Sequence, residues 1–115
     1  MDTLIALNIK DSIIQKIICY IELFESFENV YLFGSIINEK RTSNDIDLLL
    51  IYKDFSSRLL IDLDKISTIF EQLYGLSFDL TVLSEHEEEE ASFINRLNSN
   101  YLKLKWQIFV SYLYR

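Results

Sequence analysis

The chain has 115 residues and a net charge of −7; half of its residues are hydrophobic and 14% are aromatic. That length suits one compact domain, which we expect to span residues 1–115, and the hydrophobic content excludes a globally disordered chain. The apolar stretches are short and carry charge, which argues against a membrane-spanning helix. The 11 lysines and arginines are scattered, so we expect no strong autonomous binding to nucleic acid.

The amino terminus and the single cysteine indicate the cellular compartment. The residues Met1-Asp2-Thr3-Leu4 lack the basic head of a secretory signal. Cys19 has no second cysteine with which to form an internal disulfide, and its apolar neighbours predict a buried structural thiol. Both features favour a cytoplasmic protein.

The first half of the chain predicts one helix and two strands. The helix begins at Asp11 as its N-cap and runs to about Ser26. A short strand, Asn29–Phe33, is broken by Gly34, and Asp45–Tyr52 is typical of a buried strand. The helix carries one apolar stripe, made of Ile13, Ile14, Ile17, Ile21 and Phe24.

The second half predicts a helix, a strand and a further helix. Gly75 occupies the place of a left-handed cap after the first of these helices, and residues 77–83 form the strand. Ser84 and Glu87 have the spacing of a capping box, which begins the next helix. This order of elements predicts an α/β (α+β) domain with a small mixed sheet flanked by helices. The helix that ends before Gly75 has five apolar residues at helical spacing: Leu59, Leu63, Ile66, Phe70 and Leu73.

The conformation of residues 98–115 is left open by the sequence. Alternating apolar residues over 102–108 are typical of a strand, whereas the spacing of Leu102, Trp106 and Phe109 is typical of a helix. The aromatic side chains of this segment are either core or a surface for a partner or for homo- or hetero-oligomers. They are Tyr101, Trp106, Phe109, Tyr112 and Tyr114.

Three features carry the chemistry, and the first is the turn Gly34-Ser35 directly after a strand. Glycine lets the backbone approach a phosphate closely, and the N–H groups of such a turn can hold phosphate oxygens together with the Ser35 hydroxyl. An ordinary turn has the same residues, so this pair gains meaning only from the two features that follow.

The second feature is the pair Asp45 and Asp47 at the start of an apolar strand. Residues two apart on a strand project to the same face, so these carboxylates lie side by side and repel one another. A divalent cation removes that penalty. Mg²⁺ prefers hard oxygen ligands and keeps some positions for water and substrate phosphates, so we expect the protein to supply two or three carboxylates. The alternative is a solvated strand end with two aspartates that have no function.

The third feature is Asp79, an acid in the middle of a predicted apolar strand. Such an aspartate is costly unless it is paired or binds a metal ion. If its strand lies beside the Asp45–Tyr52 strand, all three carboxylates meet at one site. The alternative is an aspartate on an edge strand that faces water.

This combination resembles the DNA polymerase β-like nucleotidyltransferase superfamily, and in particular its small stand-alone minimal nucleotidyltransferases (the MNT-type antitoxin group). The resemblance spans about residues 30–83. It implies that Gly34 and Ser35 are nucleotide-binding. It also implies that Asp45 and Asp47 bridge two Mg²⁺ ions, and that Asp79 completes the catalytic site on the ion that activates the attacking hydroxyl.

The resemblance also implies an activity and a partner. Relatives of this kind transfer a nucleoside monophosphate, and the small ones are commonly paired with an α-helical toxin of the HEPN type. They can act as antitoxins by adding AMP to a tyrosine of that toxin. We therefore expect an enzyme of the protein adenylyltransferase type with ATP as substrate and a HEPN-type toxin as partner.

The loop after the glycine-serine turn leaves two alternatives open. Relatives often have small or basic residues and a second glycine there, whereas this chain has the bulky segment 36–41. The loop favours an inactive protein that neutralises its partner by contact, and a subunit of an RNA-modifying nucleotidyltransferase is the third interpretation. Lys40, Arg41, Lys53 and Arg58 are candidate triphosphate contacts, although a solvated surface is the usual place for any one of them.

His86 stands in an acidic run and is the only histidine of the chain. A helical zinc-protease motif needs a second histidine, and a serine or cysteine hydrolase needs a partner nucleophile beside it. We expect His86 to lie on a solvated helix face.

Overall fold

The computed structural model describes residues 2–37, 45–98 and 100–104, which contain four α-helices and four strands. Two single-turn 3₁₀-helices, Ile21–Phe24 and Gly34–Ile36, flank the first strand. The α-helices are α1 (Asp2–Cys19), α2 (Ser57–Tyr74), α3 (Glu85–Ala91) and α4 (Phe93–Arg96). The strands are β1 (Asn29–Phe33), β2 (Asp45–Tyr52), β3 (Ser77–Ser84) and β4 (Tyr101–Lys103).

The four strands form one mixed sheet in the order β3-β2-β1-β4. β1 is antiparallel to both β2 and β4, whereas β3 is parallel to β2, which it reaches through α2. A parallel neighbour requires a crossover of this kind, because a short hairpin can join only antiparallel strands. The structure thus confirms the predicted mixed sheet flanked by helices.

The two faces of the sheet carry cores of different size. Ile46, Leu48 and Leu50 of β2 are fully buried in the main core, which includes residues of α1 and α2. Leu49 and Ile51 alternate with them and join a smaller cluster on the opposite face, which contains residues of α4. Asp45 and Asp47 lie on the same face of the sheet as the smaller cluster, at the amino-terminal end of β2, and they are half-buried.

α1 departs from its prediction at both ends. It begins at Asp2, so Asp11 lies within the helix and the predicted N-cap is wrong; it ends at Cys19, before the predicted Ser26. Cys19 is exposed, which contradicts the expected buried thiol. The buried stripe contains Ile13 and Ile17, and a residue two positions after Ile17 lies about 200° around the helix.

α2 agrees with its prediction and ends where glycine permits a left-handed cap. Gly75 has φ 65°, and its N–H donates to the carbonyl oxygen of Glu71 at 2.8 Å. The Ser56 side chain caps the first turn by accepting from the Leu59 N–H at 3.4 Å. On the predicted apolar face, Leu59, Ile66 and Phe70 are buried and Leu63 is partly buried, whereas Leu73 at the end of the helix is 44% exposed.

A buried carboxylate fastens α2 to the segment before β1. Asp62 is only 1% exposed, and its carboxylate accepts from Ser26 Oγ at 2.9 Å and from Arg58 Nε at 3.0 Å. Both carboxylate oxygens are thereby satisfied, as a buried charge requires.

The last described elements confirm one prediction and show the conformation of part of the segment that the sequence left open. The capping box is confirmed, because Ser84 Oγ accepts from the Glu87 N–H at 3.0 Å and Glu87 Oε1 accepts from the Ser84 N–H at 2.8 Å. Residues 101–103 form a strand, and Leu104 is buried; residues 105–115, with the remaining aromatic side chains, lie outside the described part of the chain. No helix among the described residues combines the length and apolarity that crossing a bilayer needs.

Candidate metal centre

The first two acidic residues lie where the sequence predicts them, at the beginning of β2. Asp45 and Asp47 project from one face of the strand, while Ile46 and Leu48 between and after them are fully buried on the other. The buried residues fix the strand in the sheet, and the alternation of the strand then presents the two carboxylates together.

The third acidic residue joins them from the neighbouring strand. β3 pairs with β2 in a register that sets Asp79 directly opposite Asp47. One carboxylate oxygen from each of Asp45, Asp47 and Asp79 lies within 4.8 Å of the other two. The predicted convergence is therefore confirmed, although Asp79 is exposed on an edge strand and not enclosed by its apolar neighbours.

The three like charges disturb one another. The pKa of Asp47 is raised, first because burial disfavours its charged form and then because Asp45 and Asp79 repel it. The pKa of Asp79 is raised as well, first by a hydrogen bond with Asp45, and further by burial and by the charges of Asp45 and Glu71. The cluster thus holds more negative charge than it can balance internally, and a cation would relieve it.

The donor set fits a hard divalent cation. All three groups are carboxylates, and neither a thiolate nor an imidazole is among them. Mg²⁺ and Mn²⁺ prefer such oxygen ligands, whereas structural zinc sites are built mainly from cysteine and histidine. Three carboxylates on one side of a cation also leave coordination positions for water and for a substrate.

Gly34 brings a backbone turn against this cluster. It has φ 83°, and a Cβ placed on it would collide with the Asp47 carboxylate, lying 3.0 Å from Asp47 Cγ and 3.3 Å from Asp47 Cβ. Glycine is therefore required both by the backbone conformation and by the close approach. Ser35 belongs to the same 3₁₀ turn, and its side chain lies outside the described part of the chain.

The first bulky residues after this turn do not occupy the centre. Ile36 is 1% exposed and belongs to the main core, and Ile37 packs against that core. The Ile37 N–H donates to the Gly34 carbonyl oxygen at 3.1 Å and closes the turn. Ile36 therefore anchors the turn; the rest of the predicted obstructing loop, residues 38–41, lies outside the described part.

Two of the four candidate triphosphate contacts lie away from this end of the sheet. Lys53 follows the far end of β2, about 20 Å from Asp47 at the rise of a β-strand. Arg58 lies beyond it in the first turn of α2, where its guanidinium pairs with Asp62. Lys53 and Arg58 thus lie on the surface, which was the alternative given for them; Lys40 and Arg41 lie outside the described residues.

Two residues near the centre carry no sequence motif and were missed. Phe33 of β1 lies opposite Asp47, and its ring packs edge-on against Phe93 at 5.5 Å. Glu71, in the last turn of α2, accepts a hydrogen bond from the Phe78 N–H beside Asp79. The sequence signal that could have drawn attention to Glu71 is its position, because an acidic residue is unfavourable at the carboxyl end of a helix, which favours cations.

His86 is exposed beside Glu90, as predicted.

Comparison with known proteins agrees with this geometry. The sequence matches the family model described as polymerase beta, nucleotidyltransferase over residues 15–111. The fold resembles the crystal structure of a candidate nucleotidyltransferase from Sulfolobus solfataricus, with 22% sequence identity and a TM-score of 0.50 over 90% of this chain and 86% of that one. At this identity the likeness supports the fold alone. Among curated proteins, none matches the sequence significantly.

Proposed function

Because this chain belongs to the polymerase beta nucleotidyltransferase family, we propose that it transfers a nucleoside monophosphate, AMP from ATP, to an acceptor hydroxyl with the help of Mg²⁺. The observation that carries the proposal is the convergence of Asp45, Asp47 and Asp79 beside the Gly34 turn. A solvated group of aspartates would not need glycine at the one position where a side chain would displace Asp47.

Each part of the centre has a role in this reaction. Asp45 and Asp47 would hold two Mg²⁺ ions, with Asp79 as a further ligand of one of them. The Gly34-Ser35 turn would hold the triphosphate through its backbone N–H groups and the Ser35 hydroxyl. The bound ions would supply Lewis acidity at the α-phosphate and neutralise charge on the leaving pyrophosphate. The acceptor oxygen forms a bond to the α-phosphorus as the bond to the bridging oxygen of pyrophosphate breaks.

Asp79 is the residue that we assign to the acceptor hydroxyl. Its carboxylate is exposed at the edge of the sheet, where an incoming hydroxyl can approach. Asp79 would orient the hydroxyl and take its proton as the new bond forms.

We further propose that the acceptor is a tyrosine of a HEPN-type toxin, for which this chain is the antitoxin. The chain is small and acidic, and its scattered cationic residues do not provide a surface for holding RNA. A protein acceptor therefore suits it better than a nucleic-acid acceptor.

The test uses ATP labelled at the α-phosphate, Mg²⁺ and the protein encoded by the neighbouring gene. We expect the label to appear on that protein, to be absent when the γ-phosphate is labelled instead, and to be lost with a chelator or with Asp45→Asn plus Asp47→Asn. Glu85→Gln plus Glu89→Gln, at two exposed positions of α3, is the matched control for the loss of two negative charges and should leave transfer intact. Absence of transfer to the partner under Mg²⁺ would refute the acceptor, and transfer to tRNA ends instead would favour the RNA-modifying interpretation.

A further inference from the structure

Glu71 lies outside the three-aspartate cluster, yet it is bonded to the strand that carries Asp79. Its Oε2 accepts a hydrogen bond from the backbone N–H of Phe78 at 2.9 Å. The residue stands in the last turn of α2, where the helix dipole disfavours a negative charge. A carboxylate at this position does not stabilise the helix, so the stabilising contact that Glu71 makes in the structure is its hydrogen bond to β3.

The strand that receives this bond is held on one side only. β3 is the edge of the described sheet and pairs with β2 alone, whereas β2 pairs with β1 as well from Asp47 onward. Phe78 and Asp79 are the second and third residues of β3, close to an end where a strand frays. The backbone at Asp79 is therefore held by β2 on one side, and the Glu71 bond restrains the other side of that strand.

The side chain of Phe78 adds a second restraint from the same helix. It is 5% exposed, and its ring packs against Phe70 at 5.5 Å and against Tyr74 at 5.9 Å. Neighbouring residues of a strand point to opposite faces, so holding the ring and the N–H of Phe78 on α2 aims Asp79 at the face of Asp47.

We propose that Glu71 is a positioning residue for the metal centre, which sets the place of Asp79 by holding the Phe78 N–H and so strengthens binding of the divalent cation. The inference rests on the proposed function in one respect, that Asp79 is a ligand of that cation. Outer groups that orient a ligand commonly affect metal affinity by about 10–100-fold when they are removed.

Three substitutions separate this role from a simple effect of charge. Glu71→Gln removes the charge and retains an acceptor oxygen at the same reach, while Glu71→Asp retains the charge and withdraws the acceptor by one carbon–carbon bond. Glu71→Ala removes both. Binding of Mn²⁺ is measured on each folded variant by the loss of the free-ion EPR signal, with the exposed Glu89→Ala as the control for net charge.

We expect Glu71→Asp and Glu71→Ala to weaken Mn²⁺ binding about tenfold, with Glu71→Gln and Glu89→Ala within about twofold of the unaltered protein. Equal weakening by Glu71→Gln and Glu71→Ala would overturn the proposal, because charge alone would then explain the effect. A lower Tm with unchanged Mn²⁺ affinity would also overturn it, since that is the signature of a structural contact. Should Glu71→Ala fail to fold, the contrast between Glu71→Asp and Glu71→Gln decides the matter.

The measurement is independent of nucleotidyl transfer. Mn²⁺ binding needs neither ATP nor an acceptor, so the expected pattern without any transfer would support the positioning role and refute the proposed activity. Label transfer that depends on Asp45 and Asp47 but is accompanied by unchanged Mn²⁺ binding in Glu71→Asp would refute the positioning role alone.

Discussion

Replacing Gly34 by alanine tests the closest contact of the candidate centre. The new Cβ would occupy the space of the Asp47 carboxylate, and the residue would also have to adopt φ 83°. The backbone penalty for a non-glycine residue in the left-handed region is about 1–2 kcal/mol. In a domain of this size each kcal/mol lowers the Tm by about 4 °C.

The collision should also reduce the rate of transfer, an effect that the Tm does not report. Asp47 is paired on both sides within the sheet, so the collision would displace its carboxylate from its present position beside Asp45 and Asp79. A displacement of about 1 Å of a catalytic group can reduce a rate about a hundredfold. We therefore expect Gly34→Ala to lower the Tm by a few degrees and to reduce Mg²⁺-dependent label transfer about a hundredfold.

Gly75→Ala is the matched control. Gly75 also has positive φ, at 65°, but a Cβ there would meet nothing within 4 Å. It should lower the Tm by a similar amount and leave transfer unchanged. Transfer by Gly34→Ala at the rate of Gly75→Ala would refute the reasoning, because backbone strain alone would then account for the effect of both substitutions.

Three further predictions concern the charges. Asp47→Asn should raise the Tm of the metal-free protein, because it relieves repulsion from Asp45 and Asp79, and should abolish stabilisation by Mg²⁺; a lower metal-free Tm would contradict this. The folded protein binds protons more tightly at Asp47 than the unfolded chain does, so the penalty from this residue is fully present above its raised pKa and disappears as the pH falls through that value toward the unfolded one. The Tm difference between Asp47→Asn and the unaltered protein, measured without metal, should therefore shrink as the pH is lowered from 7 to 4, and a constant difference would contradict the prediction. Asp62→Ala removes the acceptor of the Ser26 and Arg58 hydrogen bonds, so it should lower the free energy of unfolding, measured by chemical denaturation, by about 1–3 kcal/mol. Mn²⁺ binding should be unchanged, and weaker binding would contradict a purely structural role for Asp62.

The strands and the acidic residues were predictable because they depend on local alternation. The bounds predicted for β1 and β2 agree with the structure, and the same-face rule placed Asp45 beside Asp47 without knowledge of the fold. Gly75 likewise ended α2 through a conformation that only its own residue type favours. Such features need no information from distant parts of the chain.

The errors arose where a distant contact or the topology decides. Aspartate is a favoured N-cap residue, but Asp11 lies within α1, which begins at Asp2. The topology also decides between the two alternatives given for Arg58, because β2 carries the chain to the opposite end of the sheet, where Arg58 pairs with Asp62. Glu71 acts through a backbone group seven residues away, and no periodicity of side chains reports such a bond.

The parallel pairing of β3 with β2 makes the assembly of the three-carboxylate cluster a late event in folding. Asp45 and Asp47 are adjacent along one strand, but Asp79 arrives only after α2 has formed the crossover and β3 has docked. A chain still under synthesis and lacking β3 would present two carboxylates and no complete centre. A cation or nucleotide that binds the finished centre would therefore select the native state, and its presence would draw newly made chains toward the folded form by mass action.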